Sequence, residues 1–137
     1  MALSKLDHVN IRTARLAEMR AFYTQVLGMT EGPRPPFPFG GAWLYCGGQA
    51  TVHLVEVDRQ PAPEGELRLE HFAFSAAGLG DFLAQLKRHG AAYRIGVVPG
   101  FGIIQVNIHD PDGNHIHVDF AAEEAASVSG EPALERA

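Results

Sequence analysis

Apolar and polar positions change places along the chain in two distinct rhythms. Residues 5–12 (KLDHVNIR) alternate, with Leu6, His8, Asn10 and Arg12 on one parity and Val9 and Ile11 on the other. A period of two predicts a strand with one face against an apolar layer. Leu16, Met19, Phe22, Tyr23, Val26 and Leu27 then recur at helical spacing, and Gly28 stands where a helix-ending glycine belongs. A short extended piece (MTEGP) leads into a proline-rich loop, Pro33–Gly41. Two strand-like runs, AWLYC (42–46) and TVHLVEV (51–57), flank Gly47-Gly48, a hairpin signal.

Residues 58–66 (DRQPAPEGE) are polar, hold two prolines and read as a linker. The pattern then restarts. Residues 67–75 (LRLEHFAFS) alternate, with Phe72 and Phe74 on one face and His71, Ala73 and Ser75 on the other. Leu79, Phe82, Leu83 and Leu86 predict a helix closed by Gly90, and extended runs follow at 92–98, 103–109 and 115–120. The order strand, helix, three strands therefore occurs twice. His71 follows His8 by 63 residues, Gly90 follows Gly28 by 62, and His117 follows His53 by 64. A nearly constant offset points to duplication. The expected fold class is α+β: a first βαβββ module over 1–57, a linker over 58–66, a second module over 67–120, and a C-terminal tail over 121–137. The tail should form a short helical turn and then be largely disordered.

Composition narrows the function. The 137 residues are 46% hydrophobic and 20% charged, an ordinary globular mix. A net charge of −5 without a Lys/Arg cluster argues against nucleic acid as a partner. The lone cysteine, Cys46, cannot form an internal disulfide. No apolar run approaches a membrane span, and MALSKLDHVNIRT lacks the layout of a secretory leader. These features set the expectation of a cytoplasmic protein with no membrane partner.

Seven histidines stand out against that background. His8 and His71 belong to the first strand of each half, His53 and His117 to the last, each on the polar parity. On strand 115–120, Ile116, Val118 and Phe120 point one way, and His115, His117 and Asp119 the other. If the first and last strands of each half are neighbours, four imidazoles converge in one cup. Neutral imidazole is the commonest protein ligand for transition metals, so His8, His53, His71 and His117 are the candidate ligands. His89 suits a helix C-terminus, where a cation meets the dipole. His109 takes a structural or surface role, and His115 shares the parity of His117 and is expected to reach the cavity.

Four segments, LDHVNIRT (6–13), FYTQVLGM (22–29), LEHFAFS (69–75) and DPDGNHIHVDF (110–120), resemble the vicinal oxygen chelate superfamily. Lactoylglutathione lyase, extradiol dioxygenases, fosfomycin-resistance proteins and methylmalonyl-CoA epimerase belong to it. The resemblance implies paired βαβββ modules, each an incomplete barrel, cupped around a divalent metal. It carries the ligand positions onto His8, His53, His71 and His117. The family usually has glutamate at the last position, and lyase-like relatives also have it at the position of His53, so two carboxylates are missing. An extradiol-type site with two histidines and one carboxylate would need another acid. Asp119 is ranked first for that role, and Glu56 lies on the wrong parity.

The expected function is divalent-metal-dependent chemistry on a small, oxygen-bearing, metal-chelating molecule. Dioxygenase chemistry with Fe or Mn leads; lyase or isomerase chemistry with Ni, Zn or Co, using Asp119 or His115 as base, is the alternative. A third reading is a non-catalytic protein that binds a drug or metabolite, as bleomycin-resistance relatives do. Arg34, Phe37 and Phe39 on the proline-rich loop, and Phe101 in GVVPGFG, read equally as a substrate-facing lip or as rigid surface loops that pack their aromatics on the core. Asn10, Arg12, Trp43, Tyr45, Gln105 and Asn107 are further candidates for contacts around the cup. Open sheet edges, together with the habit of the resembled family, lead to the expectation of a C2 homodimer.

Overall fold

The structure is a computed structural model that describes residues 1–61, 67–128 and 134–136. Residues 62–66 of the expected linker and 129–133 and 137 of the expected tail lie outside the described residues. The chain forms two compact units, Met1–Glu64 and Gly65–Ala137.

In the first unit β1 (Val9–Thr13), α1 (Leu16–Ala21), β2 (Thr30–Gly32), β3 (Gly41–Cys46) and β4 (Gln49–Glu56) follow in chain order. The sheet order is β1-β4-β3-β2, with β1 parallel to β4 and the other pairs antiparallel. First and last strands are thus neighbours. Alternation puts Ala42, Leu44, Val52 and Leu54 on one face, where they are buried with Met19 and Tyr23 of the helical segment. The segment is not one α-helix to Leu27: past Ala21 it widens to a π-helical turn over Phe22–Val26, closed by Leu27 N–H donating to Phe22 O at 3.2 Å. The Thr24 hydroxyl donates back to Arg20 O at 2.7 Å, a bond that loosens the α ladder at this point. Gly28, at φ +74°, ends the segment.

The second unit repeats the order with β5 (His71–Ser75), α2 (Leu79–Arg88), β6 (Arg94–Val97), β7 (Ile104–His109) and β8 (His115–Phe120), then adds β9 (Leu134–Arg136). Its sheet runs β5-β8-β7-β6-β9, with β5 parallel to β8 and β9 parallel to β6. Ile95, Ile104, Val106, Ile108, Ile116, Val118 and Phe120 form the buried face with Leu79, Leu83 and Leu86 of α2. The sheets remain open, so each unit is an incomplete barrel.

Two loops explain local sequence. In the β7–β8 turn the Asp110 carboxylate accepts from the backbone N–H of Asp112 (3.0 Å) and Asn114 (2.9 Å) and from the Asn114 amide (2.8 Å). The DPDGN motif is therefore a folding device that aims β8. In the tail, residues 122–128 form a 3-10 helix whose Glu124 carboxylate accepts the Gly78 and Leu79 N–H groups at the start of α2. Val128 is buried, so this stretch belongs to the core, beyond the single turn expected from composition.

Candidate functional site

The polar face of the second sheet follows from strand register. His71 lies opposite His115 and Ala73 opposite His117 across β5 and β8, while His109 faces His115 and Asn107 faces His117 across β7 and β8. Three imidazoles gather there. The His71 ring centroid is 5.2 Å from that of His115 and 4.4 Å from that of His117.

Glu70 completes the group. Its carboxylate lies 2.6 Å from His115 Nδ1 and 3.4 Å from His71 Nδ1. The hydrogen bond from His115, opposed by a little burial and helped by His71, holds the Glu70 carboxyl below the usual carboxylate range. One ligand atom each from Glu70, His71 and His115 lies within 4.8 Å of the others, close enough for small side-chain adjustments to bring them to one ion at about 2.1 Å. Asn107 orients the set. Its amide nitrogen donates to Arg94 O and Gln105 O, each at 3.4 Å, which turns Oδ1 toward His115 Nε2 at 2.8 Å. That ring nitrogen must therefore donate, and Nδ1 faces Glu70 and His71, where it donates to the Glu70 carboxylate and would become a ligand atom on giving up that proton.

The carboxylate that the structure places with His71 and His115 is Glu70, which the sequence pattern did not single out. The expected strand from residue 67 would have turned Glu70 away from His71. The actual strand begins at His71, so strand alternation does not bind Glu70. Asp119 pairs with His117, Oδ1 to Nδ1 at 2.5 Å, a dyad of one buried and one half-buried side chain beside the cluster. Glu56 is exposed at the end of β4, beside Gly40. His109 stacks on His115 at 5.2 Å, and His89 caps the exposed C-terminus of α2.

The first unit treats its histidines differently. His8 precedes β1 by one residue, and its ring stacks on His53 at 3.9 Å with the planes 13° apart. Trp43, the register partner of His53, stacks on the other side at 4.0 Å and 9°. Imidazole lone pairs lie in the ring plane, so two rings stacked in parallel direct theirs side by side instead of toward a common point. His53 Nε2 also donates to Ala50 O at 3.0 Å, and His8 Nδ1 meets Asp7 Oδ1 at 2.8 Å. Burial first, and the His8 ring second, push His53 below the ordinary imidazole range, with the bond to Ala50 opposing them. In this structure the histidine pair of the first unit forms a ring stack. It borders a groove of about 380 Å³.

The other candidates divide. Arg34 donates to Phe39 O at 2.7 Å and lies over both loop rings, which stack on each other at 5.0 Å, so the proline-rich loop spends its charge and much of its aromatic surface on itself. Tyr45 ties the loop down, its hydroxyl donating to Pro33 O at 2.5 Å. Phe101 and Arg12 are exposed. Asn10 is the register partner of His53 on β1, and Gln105 faces Asp119 across β7 and β8.

Against known proteins, the sequence profile of the Glyoxalase/Bleomycin resistance protein/Dioxygenase superfamily matches residues 5–118. No curated protein matches the chain. Among solved structures, a protein assigned to the glyoxalase family from Bacillus anthracis superposes with a TM-score of 0.71 at 26% identity, over 88% of this chain and 98% of that one. A glyoxylase/bleomycin resistance protein/dioxygenase domain from Frankia sp. EAN1pec gives 0.72 at 23% identity, over 88% and 93%. A lactoylglutathione lyase from Agrobacterium tumefaciens gives 0.65 at 20% identity, over 87% and 95%.

Proposed function

Because the chain belongs to the Glyoxalase/Bleomycin resistance protein/Dioxygenase superfamily, we propose that it is a divalent-metal-dependent enzyme whose substrate is a small, oxygen-bearing, metal-chelating molecule, with dioxygenase-type chemistry. The observation that carries this reading is the Glu70–His71–His115 group. Two imidazoles and one carboxylate are the donor set that suits Fe(II) or Mn(II) and leaves coordination positions open. A bound ion of this kind supplies a redox centre and a Lewis acid for an anionic oxygen ligand. The chain's own contribution is orientation: Asn107 fixes the His115 tautomer, and Glu70 stands between the two rings.

The His117–Asp119 dyad favours a second reading, lyase or isomerase chemistry with Zn, Ni or Co. A neutral His117 that donates Nδ1–H to Asp119 keeps Nε2 as a proton acceptor, the arrangement a general base needs. In this reading a bound ion would supply Lewis acidity to a carbonyl, and His117 would take the adjacent proton.

Metal analysis of the purified protein, followed by oxygen uptake with catechols after Fe(II) loading, tests the first reading. Uptake that Glu70→Ala and His71→Ala abolish is the expected result. Deuterium exchange from solvent into a 2-oxo compound, without oxygen uptake, selects the second. A protein that holds no ion and binds ligand unchanged in both variants is a binding protein of the bleomycin-resistance kind. We further propose a C2 homodimer, since β1, β2 and β5 are edge strands with unpaired backbone groups. A monomer mass by light scattering at micromolar concentration overturns it. Among the described residues no helix is long and apolar enough to cross a membrane.

A further inference from the structure

We propose that the first unit binds a planar aromatic acid, its ring laid on the open end of the Trp43–His53–His8 stack and its carboxylate beside Lys5. Three parallel rings at 3.9 and 4.0 Å spacing are already in place. The middle ring, His53, is buried, whereas the His8 side chain at the end keeps 41% of its surface exposed. A flat π-system continues such a stack at the same spacing, and a saturated ring cannot. The adjoining groove of about 380 Å³ is the size of a site for a one- or two-ring molecule, and His8, His53 and Trp43 line it together with Lys5, Asp7 and Tyr45.

Polar groups around the stack are consistent with an acid as the ligand. Asp7 is committed to His8 Nδ1, and Tyr45 has its hydroxyl on Pro33 O, so the Tyr45 ring presents carbon to the groove. Lys5 lines the same groove, a point charge that suits a carboxylate and is also attracted to the neighbouring Asp7. The inference uses the first unit alone and stands whether or not the second unit holds an ion.

Trp43 is the single tryptophan of the chain, so intrinsic fluorescence reports on the stack directly. The full chain is titrated with benzoate and with cyclohexanecarboxylate, which share a charge and a ring size but not flatness, each with and without a chelator. Benzoate should change Trp43 emission, shift the His8 ring protons in NMR spectra and bind about tenfold more tightly than the saturated acid. His8→Ala should remove that preference. Lys5→Gln should weaken both acids while leaving the preference intact. Equal affinity for the two acids, no response from Trp43 and His8, or a preference that vanishes with chelator each overturns the proposal.

Discussion

The two units share one ladder order and place histidines on the same side of their sheets, yet those histidines end in opposite arrangements. In the first unit the register partner of His53 on β3 is Trp43, a flat ring that draws the imidazole face to face. In the second unit the matching partner of His117 on β7 is Asn107, an amide that engages ring edges by hydrogen bonding and turns His115 toward Glu70. An aromatic neighbour consumes the ring face, and a polar neighbour directs the ring edge. Metal ligation uses the edge. The lesson is that an imidazole becomes a ligand through the residue across the ladder, as much as through its own position.

The sharpest way to break this comparison is to truncate ligands in each unit and measure Co(II) affinity by calorimetry and absorption. His71→Ala or His115→Ala should lower affinity more than about 100-fold, beyond the loss usual for an outer-shell partner. His8→Ala and His53→Ala should change it by less than about threefold. Equal losses in His8→Ala, His53→Ala and His71→Ala, matched by His117→Ala, would restore the histidine quartet expected from sequence.

A second comparison sets the hairpins side by side. Asp110→Ala leaves two backbone N–H groups and an amide without their acceptor in a half-buried turn, and should cost about 2 kcal/mol in urea denaturation. Gly48→Ala, at φ +82° with open space around the added carbon, should cost only about 1 kcal/mol. Equal costs would show that the DPDGN turn gains nothing from its carboxylate.

Asn107→Ala should weaken Co(II) binding about tenfold with little change in melting temperature, since it removes only the group that fixes the His115 tautomer. Unchanged affinity would remove Asn107 from the centre.

The smallest effect concerns pH. His53 is held below its ordinary value of 6.5, so the folded first unit resists protonation more than the unfolded chain does. Its contribution is therefore full above about 6.5 and declines as pH falls toward the folded value. His53→Gln should flatten that part of the stability profile, measured by thermal melts from neutral to mildly acidic pH. A slope identical to that of the unsubstituted chain would assign it to other groups.

Much of this architecture is legible in sequence because alternation and helical spacing are local. The strand over 115–120 begins and ends where its pattern does, whereas the parallel pairing of first and last strands, a condition in the sequence reading, is fixed only by the tertiary structure. The π-helical turn after Ala21 escapes a periodic reading, because one extra residue in a turn leaves Met19 and Tyr23 both apolar and both buried. Glu124 as the cap of α2 escapes it too, being 46 residues from Gly78.

The chain's residue order alone determined two βαβββ modules, the apolar faces of their sheets and a set of histidines on the opposite faces, since each depends on side-chain parity along a strand. Tertiary structure alone decided which of those imidazoles stack and which meet a carboxylate. That outcome rests on cross-strand partners and on the residue at which β5 begins. A shift of a single position there moves Glu70 from one side of the sheet to the other, and no periodicity in the sequence marks it.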